Sequence, residues 1–434
     1  MALELGVQSR HHRALPPCTR PRPAPLPPKP LPPRSPIRTL LVLLLWAAGL
    51  AAAAQFAKVA VILPELGRLY PEAGAAIGWL VSLISVLGIA LGLVTGVLAG
   101  RVGVRRLLLA SLWLGALVSG AQALLPPFPV MLASRVVEGL SHLGIVVAAP
   151  TLIAAIAPAA RRGLAMTLWG TFFGVAFALT AWLAPLAIEP HGPAGLFAAH
   201  GAFTAAVALA LLLLPRDASA PPAASPVTPR AAGLDLATVW RRHVATYRSP
   251  AIAAPAAGWL FYTLTFVSLL AVLPGLVPAE AREATATWMP LASIASSMTL
   301  GLVLLRVVSA VGVVILGFAL AGAIAPLMLV LPVSPTIAIA LFAAFGLVQG
   351  ASFAAVAELN AAEDARALAN GAMAQTGNAG NTFGTPLVLA LVAAGGLCAM
   401  VALVVACALA GIAVHVLLAR GRRIGNGGRR ATPH

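Results

Sequence analysis

The sequence predicts an all-α membrane protein of twelve transmembrane helices arranged as two pseudo-symmetric six-helix bundles. Three observations predict it. Of the 434 residues, 60% are hydrophobic and 9% charged, whereas soluble domains run at about 45–50% apolar and about 25% charged. The apolar residues gather into runs of about 20, the length of helix that crosses roughly 30 Å of hydrocarbon, and the strand-length alternation of a membrane barrel is absent. The basic residues keep to one side of those runs.

Taken in order, the runs bounded by charge, Pro or Gly place spans near residues 38–65, 76–99, 107–125, 129–157, 163–188, 194–214, 250–277, 287–305, 307–331, 335–357, 367–393 and 395–419. With the N-terminal tail inside, 24 of the 28 Lys and Arg residues fall on the inner side, Arg68 and Arg282 fall outside, and Lys58 and Arg135 lie within spans. That is the positive-inside distribution, with both termini cytoplasmic. It requires an even number of spans. The formal charge of +16 therefore sits in short loops and tails, and no soluble segment is long enough to gather it into a nucleic-acid-binding face.

Five regions follow. Residues 1–36 form a Pro- and Arg-rich cytoplasmic tail that cannot build a core, 37–215 the first bundle, 216–249 a cytoplasmic linker, 250–420 the second bundle, and 421–434 a basic cytoplasmic tail. The stretch after Arg38, LLVLLLWAAGLAAAAQ, imitates a secretory signal, but the apolar run continues through Val59 to Leu63 and is long enough to span. In the linker, Leu234, Leu236, Val239 and Trp240 can form the apolar face of a surface helix with Arg241, Arg242 and Arg248 toward lipid headgroups; a solvated linker accounts for the same residues. Cys18, Cys398 and Cys407 show no CxxC or Cys/His spacing, so neither a metal site nor a disulfide framework is expected, and no cofactor.

The halves echo each other. Leu63-Pro64 closes the first span as Leu273-Pro274 closes the seventh. Gly96 and Arg101 match Gly301 and Arg306, and Arg161 matches Arg366, the last two correspondences at one shared offset of 205 residues. Repeats of this kind build several transporter folds.

The loop after span 2 reads Gly96-Val-Leu-Ala-Gly100-Arg101-Val-Gly103-Val-Arg105-Arg106. It resembles the G-x-x-x-D-R-x-G-R-R signature of the major facilitator superfamily. One Gly lets helices approach, another makes the tight turn, and the arginines anchor the inner end of the span. Gly100 stands where the family carries an acid, so the charge latch ascribed to that acid is missing here. Span 4 carries Arg135-Val-Val-Glu138-Gly139, similar to the family's span-4 pattern, and span 5 carries Gly170-Thr-Phe-Phe-Gly174 and Pro185, a loose version of a pattern found mostly in antiporters. The run from Arg135, the Trp169-Gly170 pair and Gln375-TGNAGNTFGTP look like the branch of cyanate and nitroimidazole permeases, which take up small anionic or polar solutes. The resemblance covers about residues 38–420 and implies the major facilitator fold, a bacterial inner membrane and a monomer.

Charge inside a membrane is expensive, which makes Lys58, Arg135 and Glu138 candidates. Lys58 lies six residues before Pro64 and Arg135 six after Pro129, so both sit about 9 Å from the outer boundary. Two cations at one depth suggest an anion site, with Glu138 on the same helix face as Arg135 as the proton-coupling group and His142 as a relay. The bland alternative is a fixed Arg135–Glu138 pair with Lys58 snorkelling outward, and packing roles for His142, His200 and His415. Trp169, Trp259 and Tyr262 are candidates for stacking on a planar solute, and Gln349, Gln375 and Asn378 for hydrogen bonding to it. Gln375, Asn378 and Asn381, interleaved with Gly377, Gly380 and Gly384, serve helix packing equally well. The loop residues Gly96, Gly100, Arg101, Gly103, Arg105 and Arg106 are the candidate gate.

No G-x-x-x-x-G-K-[ST] loop supports direct ATP energisation, and no Ser/His/Asp grouping supports an enzyme. The expected function is secondary active transport by alternating access, importing a small anion with protons. Two alternatives are proton-driven efflux of small organic compounds and a non-transporting receptor or assembly factor on the same scaffold.

Overall fold

The computed structural model describes residues 36–91, 102–158, 161–213, 241 and 244–430. Ten helices in it are long and apolar enough to cross a membrane. We number them α1 (Pro36–Ala60), α2 (Pro71–Leu91), α3 (Val104–Gln122), α4 (Phe128–Ile156), α5 (Phe172–Leu213), α6 (Pro250–Leu276), α7 (Ala279–Leu304), α8 (Ala310–Val330), α9 (Pro335–Leu359) and α10 (Ala365–Arg422). No strand occurs among the described residues.

Two of the ten are far longer than a bilayer needs. At 1.5 Å per residue, the 42 residues of α5 and the 58 of α10 would extend about 63 Å and about 87 Å if straight. Each is broken by one glycine in a conformation that L-residues avoid: Gly192 at φ 61°, ψ −160° and Gly396 at φ 61°, ψ −148°. Each therefore has two arms, and a count of twelve spans is consistent with this arrangement. Span 5 of the sequence reading is a separate short helix, Arg162–Gly170, followed by the first arm of α5; span 6 is its second arm, and spans 11 and 12 are the arms of α10.

Several boundaries differ from the expected ones. The first span was placed to residue 65, but α1 ends at Ala60 and a separate short helix, Leu63–Leu69, takes over with Pro64 in its first turn; Pro has no N–H to continue the α1 ladder but is well suited to a helix start. The second begins earlier than expected, through a 3-10 stretch at Pro71–Gly78 with Gly74 at φ 50°. The ninth is interrupted after Ile324 and resumes at Leu327, with Pro326 between. The basic tail expected from 421 is helical to Arg430, its start tied down where Arg422 Nη1 donates to the Pro250 carbonyl at 3.2 Å. Residues 1–35 and 431–434, and most of the linker with Leu234, Leu236, Val239, Trp240 and Arg242, lie outside the described residues.

Helices α1, α3, α4 and α5 pack chiefly on one another, as do α6–α10, while α2 packs on both α4 and α10. The two groups meet along α2 with α10 and along α5 with α7. On the α2–α10 seam, a side chain on Gly78 would meet the Pro386 backbone at 3.1 Å, one on Gly88 would collide with Asn378, and Gln375 Nε2 donates to the Ile89 carbonyl at 3.4 Å. Residue numbers rise along one helix as they fall along the other, which is an antiparallel register. The outer surface carries large apolar side chains, including Leu117, Trp182, Leu186, Leu213 and Val330; so much exposed hydrocarbon suits lipid and not water.

Candidate functional site

Lys58 comes from the last turn of α1, and Arg135 and Glu138 from α4, three residues apart on one face. All three side chains have 0% exposure. Glu138 divides its carboxylate between the cations. One oxygen accepts from Lys58 Nζ at 2.6 Å; the other accepts from Arg135 Nη1 and from Gln122 Nε2, the latter at 2.8 Å. Arg135 also donates through Nε to the Leu80 carbonyl on α2 at 2.6 Å and through Nη2 to the Gln55 carbonyl on α1 at 2.7 Å.

Lys58 does not snorkel. Its ammonium turns into the space between α1, α3, α4 and the second arm of α5, where it donates to Ser119 Oγ and to Gln122 Oε1 at 2.7 Å, lies 3.4 Å from His200 Nδ1, and sits 5.3 Å from the centre of the Phe197 ring. A buried ion costs several kcal/mol unless its hydrogen bonds are made, and here every charged atom has a partner. Two cations face one carboxylate, leaving one net positive charge inside the helix group.

Sequence reasoning missed Gln55, Ser119 and Gln122 and ranked His200 below His142 as a relay. Ser119 and Gln122 lie three residues apart near the end of α3, hence on one face and at a depth comparable with Lys58; that coincidence was the available signal. His142, by contrast, does not join the cluster through a hydrogen bond. Its Nδ1 lies 3.1 Å from the Ala52 carbonyl and its ring meets Phe56 edge-on at 5.1 Å, which is the packing arrangement.

The remaining candidates lie elsewhere. Trp169 stacks on Phe172 at 4.5 Å and fills the notch left by Gly49 on α1. On α6, Trp259, Tyr262 and Phe266 form a ladder with ring separations of 4.6 and 5.0 Å, joined from α9 by Phe353, Phe345 and Phe342. Gln349 accepts from Ser293 Oγ at 3.3 Å. Gln375 accepts from Tyr247 Oη at 3.0 Å, and Asn378 Nδ2 donates to the Ala374 carbonyl at 2.8 Å. Gly96, Gly100 and Arg101 lie outside the described residues. Gly103 caps α3 at φ 92°, Arg105 Nη2 donates to the Leu211 carbonyl at 2.7 Å at the end of α5, and Arg106 is exposed.

The two helix groups share a backbone device but not a chemistry. Gly139 on α4 lets the Ile84 carbonyl of α2 approach, and Gly346 on α9 does the same for the Ser293 carbonyl of α7. Arg135 and Glu138 precede Gly139 by four and one residues; at the same distances before Gly346 stand Phe342 and Phe345. Where the first group has an ion cluster, the second has stacked rings.

Ten apolar helices, two of them broken into paired arms, with a wholly buried ion cluster inside the first group, define a polytopic membrane protein of the carrier kind. The Major Facilitator Superfamily is matched over residues 43–361, and the chain belongs to that superfamily, whose transporters move small solutes across membranes. It is 34% identical over 152 residues to the niacin transporter NiaP of Acinetobacter baylyi, a match spanning 34% of this chain and 34% of that relative. It therefore covers about a third of the relative's length. Two crystal structures of a bacterial homolog to the human lysosomal transporter Spinster are similar. The inward-facing, unoccupied form has a TM-score of 0.64 at 18% identity over 89% of this chain and 95% of that one. The inward-facing, occupied form has 0.67 at 15% over 89% and 97%. At that identity the likeness shows the fold.

Proposed function

We propose that this transporter is a secondary carrier that imports a small organic anion with protons by alternating access across a bacterial inner membrane. The observation that carries the reading is the imbalance inside the membrane: Lys58 and Arg135, both fully buried, share the single carboxylate of Glu138. A proton on Glu138 removes the only negative charge in the cluster, and an anionic solute restores it. Proton and anion then bind together because each offsets the cost the other leaves. The half-buried Trp259 with its neighbours Tyr262 and Phe353 is a separate apolar face on α6 and α9, suited to a flat ring at another point on the solute's path. Niacin, the solute in the relative's name, is a ring carrying one carboxylate, so small aromatic carboxylates are the first class to try.

The test is uptake of radiolabelled nicotinate, and of a panel of small carboxylates and inorganic anions, into proteoliposomes holding the purified chain. With acid outside and a neutral lumen, the proposal expects accumulation that a protonophore abolishes. Accumulation only when the gradient is reversed would establish efflux instead, and uptake of neutral or cationic compounds alone would refute the anion reading.

A further inference from the structure

The chain contains only two lysines, Lys29 and Lys58, against 26 arginines. One of the two, Lys58, is fully buried and meets side chains from three other helices. The surroundings of Lys58 explain what a lysine can do there. An ammonium has three N–H donors and no acceptor. Around Nζ stand three acceptors, Glu138 Oε1, Gln122 Oε1 and Ser119 Oγ, with His200 Nδ1 behind Ser119 at 3.4 Å. Only the first is charged. Without its charge, two neutral acceptors, Gln122 Oε1 and Ser119 Oγ, still meet the ammonium.

The polarity of this cradle is fixed from both ends. His200 Nε2 lies 2.9 Å from the Ala51 carbonyl, which can only accept, so Nε2 carries the ring hydrogen and Nδ1 presents a lone pair. Ser119 Oγ, 2.7 Å from Nδ1, donates its hydrogen there and is left with lone pairs toward Lys58. The hydrogen bonds therefore run one way, from Lys58 through Ser119 and His200 to Ala51. Arg135 and Glu138 on α4 are the other ionisable groups facing Lys58; α2 contributes to the cluster a backbone carbonyl, that of Leu80.

We infer that Ser119, Gln122 and His200 are positioning residues that hold Lys58 as an ammonium whether or not Glu138 carries a proton. The consequence is that protonating Glu138 leaves two cations in place instead of driving a proton off Lys58, which is what makes the cluster bind an anion at that moment. This rests on the transport reading above, with Glu138 as its proton site, and adds the residues that keep the neighbouring cation from discharging.

The test reads the charge of Lys58 directly. In the full chain carrying Lys29→Arg, labelled with 13C-lysine and held in lipid nanodiscs, Lys58 is the sole lysine, and its Cε shift reports whether Nζ is charged. At neutral pH the expected result is an ammonium both in that parent and after Glu138→Gln, which imitates the protonated acid. It becomes a neutral amine once Glu138→Gln is combined with His200→Leu or Gln122→Met. A neutral Lys58 in Glu138→Gln alone, or an ammonium that persists in both combinations, overturns the inference. Should the combinations fail to fold, the single His200→Leu variant decides. Its Lys58 titration midpoint is expected to fall by about one pH unit or more, with partial recovery in His200→Asn, and an unmoved midpoint overturns the inference. Because the signal needs no solute, failure here removes the cradle and leaves transport standing, whereas absent proton-driven uptake with the expected shifts removes the transport reading alone.

Discussion

Lys58 on α1 and Glu138 on α4, 80 residues apart in the chain, form an ion pair of 2.6 Å with both side chains wholly buried. Removing one partner of such a pair leaves an uncompensated charge, at a cost of about 3–5 kcal/mol, more than the net worth of the intact pair. The two ends of this pair are not equivalent, however. After Lys58→Met, Glu138 still has Arg135; after Glu138→Leu, two cations face each other. Thermal unfolding in detergent is therefore expected to rank Glu138→Leu as the larger loss. Lys58→Met added to Glu138→Leu should recover part of it, since one buried cation replaces two. An additive double variant would show that the charges do not communicate.

The paired glycines give a second expectation. A Cβ on Gly139 would stand 2.5 Å from the Ile84 carbonyl, and one on Gly346 would overlap the Ser293 carbonyl, whereas Gly67 has nothing within 4 Å. Gly139→Ala and Gly346→Ala should each cost about 1–3 kcal/mol, the usual range for forcing extra volume into a packed interior. Gly67→Ala is the control and should leave the melting temperature unchanged within error.

Along the α2–α10 seam, Gly88 lies against Asn378. If the helix groups must separate there during the cycle, Gly88→Cys with Asn378→Cys, in a background with Cys18, Cys398 and Cys407 replaced by Ser, should form a disulfide that cuts uptake by about tenfold or more, as arrest of a required rigid-body step does. Dithiothreitol should restore it. Full uptake in the cross-linked protein would place the moving contact elsewhere.

Tyr70, between the short helix and α2, donates its hydroxyl hydrogen to the Pro126 carbonyl at 2.7 Å. Tyr70→Phe should cost about 1 kcal/mol, the typical net value of one hydrogen bond. Burial, and then the charge of Glu72, push the phenol above its ordinary value of 10.0. A raised value in the folded state means the folded protein holds this proton more tightly. The contribution is thus complete below the ordinary tyrosine range and fades as the pH climbs through the higher folded value. Alkaline melts of the wild type and Tyr70→Phe should converge.

Much of this architecture was legible because depth is written in sequence. Counting residues from Pro64 and Pro129 placed Lys58 and Arg135 near one level, and three-residue spacing put Glu138 beside Arg135. Azimuth was not legible. In helices apolar on every side, as the near-uniform faces of α1 and α4 are, periodicity does not say which way a side chain points. So Lys58 could be read as snorkelling out when it turns in toward Ser119 and Gln122. The same gap hid His200, which meets Ala51 and Ser119 from helices 149 and 81 residues away in sequence. The breaks at Gly192 and Gly396 show the converse: they fall within a residue or two of the ends that charge, Pro and Gly gave to neighbouring spans.

The most direct test of the account compares two kinds of transport by Glu138→Gln. In proteoliposomes, exchange of labelled for unlabelled solute needs no net proton movement, whereas accumulation driven by an acid exterior does. The account predicts that Glu138→Gln keeps exchange and loses accumulation, with the wild type showing both. Accumulation in Glu138→Gln equal to the wild type would contradict the claim that this carboxylate couples proton to anion.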